Sequence, residues 1–336
     1  MENSESEKDF NLPARAETTL IENLSIKNSS SDIERSWDDF SLTYFQFINE
    51  CTLSLMNNLS ALSRIRSNNK KKILDAGCGP GLGTKLLSTL IPNLDSTIYA
   101  FDLSGEMIRL SNQVFSEHDD FNSNENNHWE VKTYPDTDCK INIDVDMETI
   151  RLKKKGKIIN FFRGNVERLI FEDEQFDAYV SNLCFMLCRD PDTAIKEAYR
   201  VLKFGGTASI SIWGKKEDTK LAFVLINQVF AKHGHTPPAG SKSSFDLAKD
   251  PEELKLKFLN AGFKDVRFEY VNAIFDCFDE EEYMMRFQGP QVKSLCKNIE
   301  DFKVKEILDE VKDRAREELA KGILPVLNCL IISARK

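Results

Sequence analysis

Several features that define particular protein classes are missing from this chain of 336 residues. No apolar run approaches the roughly eighteen uninterrupted residues that a membrane-spanning helix requires, so we expect no membrane span. The first ten residues are polar and charged and contain no apolar segment, and we therefore expect no signal peptide.

A recognisable cysteine pattern is also missing, although the chain has eight cysteines. No Cys-x-x-Cys pair occurs, and the two nearest cysteines, Cys184 and Cys188, have no matching histidines. A structural zinc site needs four clustered ligands, so we expect no bound metal. Scattered thiols are typical of a reducing compartment, and this pattern favours a cytoplasmic protein.

The chain lacks an excess of basic charge. It has 45 basic against 54 acidic side chains, a formal balance of −9. Such a balance repels phosphate backbones, which argues against a dedicated nucleic-acid binder. No appended recognition module is visible either, so a small molecule is the favoured partner. Nothing in the sequence indicates the oligomeric state.

The chain divides into a tail and one domain. Residues 1–33 are rich in Ser, Asn and Glu and predict a disordered tail, which leaves 34–336 as the domain. Aromatic and apolar residues recur at helical spacing over 33–62. The polar, acidic segment 116–155 is longer than an ordinary connection and predicts an insertion. Helices within 279–320, before the last strand, predict a helical lid.

Short apolar strands alternate with amphipathic helices through the rest of the chain. This alternation predicts an α/β fold with a doubly wound, mostly parallel sheet and right-handed crossovers. The seven predicted strands are 72–75, 97–102, 158–163, 176–181, 207–213, 266–274 and 326–333.

A glycine-rich turn, Asp75–Gly83, joins the first predicted strand to a helix. Glycine lets the chain reverse sharply and lets a ligand approach the backbone, and the following helix N-terminus suits an anionic group. The dinucleotide pattern Gly-x-Gly-x-x-Gly fails, because Leu82 and Thr84 stand where its third glycine would be. A tight turn with no ligand is the alternative interpretation.

An acid, Asp102, ends the second predicted strand. A carboxylate at that place can accept hydrogen bonds from both hydroxyls of a ribose. Its alternative role is to cap the next helix, but Ser104 is the better cap. Ligands of open α/β sheets lie beyond the carboxyl ends of the strands, where this acid and the glycine turn both fall.

The glycine-rich turn, the acid Asp102 and several later segments resemble the class I S-adenosylmethionine-dependent methyltransferases. Within that class they resemble the type 11 group, which includes the quinone-biosynthesis C-methyltransferases. The resemblance covers roughly Trp37 to Lys336 outside 116–155. It rests on Leu74–Gly81, on Asp102-Leu103-Ser104-x-x-Met107, on Gly164–Glu167, on Glu197–Gly206 and on Phe245–Leu254 with Ala261–Phe263. It implies a seven-stranded Rossmann-like methyltransferase fold with an antiparallel last strand, and S-adenosylmethionine as the cofactor.

The resemblance also implies how the first half of the site is arranged. Asp75, Ala76, Gly77 and Gly79 would surround the methionine part of the cofactor. Asp102 would hold the ribose.

The other half of the implied site follows the later strands. Leu103 and Met107 would lie against the adenine, although ordinary core packing explains them as well. Asn165 stands where the group usually has Asp, and its oxygen can still accept a hydrogen bond from the adenine amino group. Val166 would offer its backbone N–H, and Asn182 would face the transferred methyl group.

The sequence leaves the catalytic residues unidentified. A sulfonium methyl group is already activated, so the protein mainly aligns the acceptor and excludes water. If a base is needed, His233 and His235 are the candidates, against the alternative of two solvated loop histidines. Tyr44 and Trp37, on the first predicted helix, either close over the cofactor or pack in the core.

A small-molecule methyl acceptor is the favoured substrate. The alternatives are a protein or RNA methyltransferase, a noncatalytic cofactor-binding protein of the same fold and, less favoured, a nicotinamide dehydrogenase. Aromatic and apolar side chains near the predicted lid either roof an acceptor pocket or pack as core. They are Phe275, Phe278, Tyr283, Met284, Met285 and Phe287.

Overall fold

The computed structural model describes residues 27–116, 130–134, 149–154, 157–236, 242–275, 277–285, 295–296, 299–322 and 324–336. Most of the predicted tail and most of the predicted insertion lie outside these ranges. Residues 27–33, at the end of the predicted tail, form the start of the first described helix.

The described elements alternate as the sequence predicts. The helices are α1 (Lys27–Phe47), α2 (Leu53–Leu62), α3 (Leu82–Leu90), α4 (Gly105–Ser116), α5 (Pro191–Val201), α6 (Ala222–Lys232), α7 (Pro251–Asn260), α8 (Glu280–Met285) and α9 (Asp301–Ala320). The strands are β1 (Lys72–Ala76), β2 (Thr97–Asp102), β3 (Glu130–Tyr134), β4 (Thr149–Lys154), β5 (Lys157–Arg163), β6 (Phe176–Asn182), β7 (Leu202–Trp213), β8 (Lys264–Ile274) and β9 (Val326–Arg335).

The described strands form one sheet in the order β3-β4-β5-β2-β1-β6-β7-β9-β8. Strands β5, β2, β1, β6 and β7 pair in parallel, and β9 runs antiparallel to both of its neighbours. The predicted seven-stranded α/β sheet with an antiparallel last strand is therefore confirmed. Strands β3 and β4 extend it, since they pair antiparallel with each other and β4 pairs antiparallel with β5.

Two helix starts show how the sequence sets element boundaries. At α5, Asp190 accepts hydrogen bonds from the backbone N–H groups of Asp192 and Thr193, with a proline at the first helical position. At α7, Asp250 caps the helix in the same way. Both starts match the preference for Asp before a helix and Pro as its first residue.

The sheet is buried on both faces. Successive residues of β1 point to opposite sides, so Ile73 joins the core under α2 and α3 while Leu74 joins the core under α5 and α7. Strands buried on both faces carry apolar residues on both sides, as Ile73 and Leu74 of β1 do. The order of strands reverses between β1 and β6, which places a crevice above the carboxyl ends of these two strands.

The segment 279–320, in its described part, packs on helix α6. Helix α9 contacts α6 and α8 and buries Ile307, Val311 and Ala315. Arg316 and Lys312 of α9 form ion pairs with Glu280 and Glu281 of α8. Within the described part of the chain, no helix is both long and apolar enough to cross a bilayer.

Candidate functional site

A cavity of about 550 Å³ opens above the carboxyl ends of the parallel strands. Loops that follow β1, β2, β5 and β6 line one part of it, and residues at the ends of β7, β8 and β9 line another. Helix α1 covers it. The cavity thus lies at the reversal of strand order, where ligands of doubly wound sheets bind.

The glycine turn packs tightly against strand β2 and the loop after β6. Gly77 and Gly79 have positive φ angles of 74° and 55°, a conformation that glycine adopts at little cost. The backbone N–H of Gly77 donates to the Phe101 carbonyl at 2.6 Å. A Cβ at position 77 would lie 2.5 Å from Cys184 Sγ, so there is no room for a side chain. Both glycines line the cavity.

Asp102 joins the second strand to this turn. Its Oδ2 accepts from the N–H of Gly79 at 2.8 Å, and its Oδ1 accepts from the N–H of Ser104 at 2.9 Å. Burial raises the pKa of Asp102 to about 6, although these two hydrogen bonds oppose the rise and nearby Asp38 adds to it. Each carboxylate oxygen retains a second lone pair, so the group can still accept from a diol in the cavity.

Asp75 lies beneath the turn and is fully buried. Its Oδ2 accepts from Thr84 Oγ1 at 2.7 Å, while its Oδ1 has no hydrogen-bond partner. Burial raises the pKa of Asp75 to about 7. Neither Asp75 nor Ala76 lines the cavity, and the Ala76 carbonyl accepts from Ser181 Oγ at 2.7 Å. A cationic ligand group above the turn would stabilise this unpaired oxygen.

The residues that the resemblance assigns to adenine contact lie together at one end of the cavity. Leu103, Met107, Asn165 and Val166 all line it. Met107 and Val166 are nearly buried, so they also pack in the core. Asn165 Oδ1 accepts from the backbone N–H of Glu167 at 2.8 Å, which leaves its second lone pair for a ligand.

Asn182 is held at the end of β6 and also lines the cavity. Its Oδ1 accepts from Ser211 Oγ at 2.6 Å, and its Nδ2 donates to the Thr52 carbonyl at 3.3 Å. The next residue, Leu183, has a φ of +54°. A non-glycine residue in this region costs roughly 1–2 kcal/mol, which the hydrogen bonds to Ser211 offset.

Helix α1 is tied to the ribose end of the site by two acids. Asp38 Oδ1 accepts from Ser104 Oγ at 2.5 Å and from the N–H of Glu106 at 3.3 Å. Glu34 forms an ion pair with Arg163. The helix and the residue after it therefore present a row of mostly apolar side chains to the cavity, namely Ile33, Ser36, Trp37, Phe40, Tyr44 and Ile48.

Tyr44 is the only one of the three candidate catalytic residues that the described cavity lining includes. Burial raises its pKa to about 12, and a side-chain hydrogen bond with Thr52 opposes that rise. The hydroxyl therefore stays protonated at neutral pH and can donate a hydrogen bond. It does not act as a base there.

His233 and His235 lie at the C-terminal end of α6, outside the cavity lining. His233 Nε2 is 2.8 Å from Glu310 Oε2, and Lys232 pairs with the same carboxylate. The backbone N–H groups of both histidines donate to carbonyls of the last helical turn. Their described contacts are those of a helix end.

The part of the cavity beyond Asn182 is lined by residues that the sequence pattern had mostly not indicated. They are Trp213, Leu221, Phe223, Phe275 and Leu327, of which only Phe275 had been named. Only their position in the sequence could have identified them, because they stand at or near the ends of β7, α6, β8 and β9. Asp38, Thr52 and Cys184 were also not predicted as site residues, since their roles depend on contacts distant in sequence.

The residues expected to roof an acceptor pocket are dispersed. Phe278 is 85% exposed, whereas Tyr283 and Met284 are buried with the core. Phe287 lies outside the described residues, and no described residue of 279–320 lines the cavity. The cover that the structure shows comes from α1. Among the described residues, no group of three or more His, Cys, Asp or Glu side chains is placed to hold a metal ion.

Parts of the chain are similar in sequence to known proteins. Residues 138–210 match the family described as "Methyltransferase domain". A curated relative, the chloroplastic 2-methyl-6-phytyl-1,4-hydroquinone methyltransferase 2 of Oryza sativa subsp. japonica, is 42% identical over 125 residues, which are 37% of this chain and 31% of that protein. The ubiquinone/menaquinone biosynthesis C-methyltransferase of Haemophilus ducreyi is 28% identical over 37% of this chain and 52% of its own length.

A solved structure is similar across most of the chain. Phosphoethanolamine N-methyltransferase 2 of Haemonchus contortus, in complex with S-adenosyl-L-methionine, has a TM-score of 0.45 and 17% identity, over 83% of this chain and 52% of that one. The chain spans about a third to a half of the length of the two curated relatives above.

The strand order, the glycine turn and the acid that ends β2 are those of an open α/β domain with a place for a ribose-containing cofactor. The matched segment and the relatives make the chain similar in sequence to the class I S-adenosylmethionine-dependent methyltransferases. The matched segment runs from before β4 into β7, so the glycine turn is separate support. S-adenosylmethionine is the cofactor of this class, and the turn, Asp102 and the unpaired oxygen of Asp75 fit it.

Proposed function

We propose that this protein transfers the methyl group of S-adenosylmethionine to a small, uncharged acceptor of the hydroquinone type. One observation carries the proposal. A single cavity joins the glycine turn and Asp102 to a wall of aromatic and aliphatic side chains at the ends of β7, β8 and β9. Cofactor and acceptor would lie side by side along the edge of the sheet.

The chain's own residues would hold the cofactor from three neighbouring strands. Gly77 and Gly79, which line the cavity, would lie against its methionine part, Asp102 would accept from its ribose, and Leu103 and Met107 would flank its adenine. The cofactor supplies an activated methyl group on a positively charged sulfur. Tyr44 and Trp37 of α1 cover this part of the cavity and would exclude water from it.

The charges that line the cavity favour an uncharged acceptor. They belong to Asp102, Glu167, Arg168 and Arg189, which follow β2, β5 and β6. No charged side chain lines the described wall formed by β7, β8, β9 and the start of α6. A phosphate or ammonium group placed there would be desolvated without a counter-charge, which is costly.

The protonation states indicate the reactivity that the acceptor needs. No histidine is among the described lining residues, and Tyr44 stays protonated at neutral pH. Without a strong protein base, the acceptor must be reactive by itself, as an electron-rich hydroquinone ring is. The names of the rice and Haemophilus relatives, a hydroquinone methyltransferase and a quinone-biosynthesis C-methyltransferase, support this choice.

Two measurements test the proposal. Calorimetry should show binding of S-adenosylmethionine to the wild-type chain and a loss of at least tenfold in affinity for Asp102→Ala. Asp39→Asn, an exposed acid on the same α1 helix as Asp38, serves as the matched control and should bind normally. Binding that is absent in the wild type, or unchanged in Asp102→Ala, would overturn the enzyme interpretation.

The acceptor class needs a separate test. Tritium from labelled cofactor should enter the organic-soluble small-molecule fraction of a cell extract. Label that enters protein or RNA instead would favour a macromolecular acceptor and contradict the small-molecule proposal. We also propose a cytoplasmic location, supported by the thiol state of Cys78, Cys184 and Cys188. The rice relative is named as chloroplastic.

A further inference from the structure

We propose that Trp213 is the surface on which the acceptor ring stacks, and that it makes the site selective for planar aromatic acceptors over saturated ones of the same size. The inference rests on the proposed function and adds to it a residue that determines specificity. Trp213 ends β7 and lines the cavity.

The position of β7 places Trp213 beside the cofactor part of the site. Strand β6 lies between β1 and β7, and its end carries Asn182. Residue 182 pairs in register with Ser211, two residues before Trp213. The indole therefore stands one strand beyond the polar groups next to the glycine turn. A ring stacked on it would be adjacent to the methyl donor.

Two aromatic rings pack against the indole. The centroid of the Trp213 ring is 4.7 Å from that of Phe223 and 5.0 Å from that of Phe245, and the two phenylalanine rings lie 5.8 Å apart. Phe223 also lines the cavity, whereas Phe245 is buried and does not. Contacts with two neighbouring rings restrict the orientation of the indole in the cavity wall.

The backbone after Trp213 is fixed by one buried side chain, Asn328 of β9. Its Oδ1 accepts from the N–H of Lys215 at 2.8 Å, and its Nδ2 donates to Asn272 Oδ1 at 3.0 Å. The N–H of Gly214 donates to the Asn328 carbonyl at 2.8 Å, and a Cβ at Gly214 would contact the Asn328 side chain. Such fixed contacts reduce the entropy lost when a ligand binds.

The other described residues of this wall offer no polar group to a bound ring. Leu221, Phe223, Phe275 and Leu327 complete it, and all are apolar. A flat electron-rich ring gains stacking with the indole in addition to burial of its area, whereas a saturated ring gains burial alone. The change in this difference when Trp213 is replaced therefore measures the role of Trp213, since Phe223 and Phe275 stay in place.

The second aromatic group of the cavity is arranged differently. Trp37, Phe40 and Tyr44 of α1 pack on one another with ring centroids 5.9 to 6.4 Å apart. They cover the ribose end, because their helix is tied to Ser104 and Arg163. Trp213 is on the opposite side of the glycine turn, where it lines the acceptor wall together with Phe223 and Phe275.

The test measures the affinity of two probes by calorimetry in the presence of S-adenosylhomocysteine. The probes are 1,4-dihydroxynaphthalene, kept reduced, and decahydronaphthalene-1,4-diol, which has the same carbon skeleton without aromaticity. Trp213→Leu should weaken the aromatic probe by roughly three- to tenfold more than the saturated one. Trp213→Phe should retain most of the difference. Phe204→Leu, an exposed aromatic outside the cavity, is the control.

Two results would overturn the inference: unchanged affinity for 1,4-dihydroxynaphthalene in Trp213→Leu, or equal losses for both probes. If Trp213→Leu does not fold by circular dichroism, Trp213→Met, whose longer and flexible side chain adapts to an irregular gap, takes the same measurement. Affinity for S-adenosylhomocysteine is recorded in parallel. Its absence in the wild type contradicts the proposed function, while the two probes still compare ring stacking at Trp213.

Discussion

Asp38 Oδ1 lies 2.5 Å from Ser104 Oγ, and this bond joins the N-terminal helix α1 to the loop that holds Asp102. Ser104 Oγ in turn accepts from the N–H of Met107 at 3.1 Å, which caps α4. The cover of the cavity and the ribose-binding loop are therefore one hydrogen-bonded unit. Replacement of Asp38 or Ser104 should therefore change the affinity for the cofactor.

Asp38→Ala should weaken binding of S-adenosylhomocysteine several-fold, because α1 loses its bond to the cofactor loop and covers the site less firmly. A hydrogen bond to a charged group contributes roughly 1.5–3 kcal/mol. Calorimetry on Asp38→Ala, Ser104→Ala and the double variant measures the coupling between the two side chains. Fully additive losses would show that the bond does not connect the helix to the site.

Gly77→Ala should destabilise the fold more than Gly205→Ala does. Both residues have positive φ angles, 74° and 80°, so both variants introduce comparable backbone strain. At Gly205 a new Cβ meets nothing within 4 Å, whereas at Gly77 it would lie 2.5 Å from Cys184 Sγ. Urea unfolding should give Gly77→Ala an extra loss of about 1–3 kcal/mol. Equal losses would mean that Cys184 moves aside freely.

Cofactor affinity should fall as the pH drops through about 6, where Asp102 becomes protonated in the free protein. Ribose hydroxyls that donate to the carboxylate stabilise its charged form, so binding lowers the pKa of Asp102 and releases a proton below that pH. Calorimetry at pH 5 to 8 measures the slope. Asp102→Asn should bind more weakly throughout and lose the part of the slope near pH 6. A slope that persists unchanged in Asp102→Asn would assign it to another group.

Asp75→Asn should stabilise the free protein at neutral pH while it weakens cofactor binding. The pKa of Asp75 is about 7 in the fold, above its ordinary value near 3.8, so the ionised group costs stability. That cost is absent at pH 4, grows as the pH rises to 7 and is constant above it, at most about 4 kcal/mol. Thermal unfolding of both proteins from pH 4 to 8 should show the wild type losing stability relative to the variant. Parallel curves would contradict this.

Much of the fold was predictable because it depends on short-range patterns. Strand β2 begins and ends as predicted, and β1 and β6 each end one residue later. Strands β3 and β4 were not predicted, since a polar segment reveals no core-facing alternation and their pairing with β5 is a long-range property.

The site residues also differ in whether short-range sequence patterns predict them. Gly77, Gly79 and Asp102 stand at or just beyond the ends of strands and carry a recognisable pattern, and the structure places all three at the cavity. Trp213 and Asn328 carry no such pattern, because β9 comes more than a hundred residues after β7 and lies beside it only in the folded sheet. His233 and His235 were candidates because of their residue type, but they follow the end of α6, away from the cavity lining.

The order of strands has a consequence for the size of the acceptor. Adjacent strands lie about 4.8 Å apart, so the three intervals from β6 to β8 span about 14 Å. Phe275, just after β8, marks the far end of that span. An acceptor that carries a chain longer than this distance has to extend past the last strand and leave the cavity. The edge of the sheet thus limits how much of an acceptor the protein can enclose.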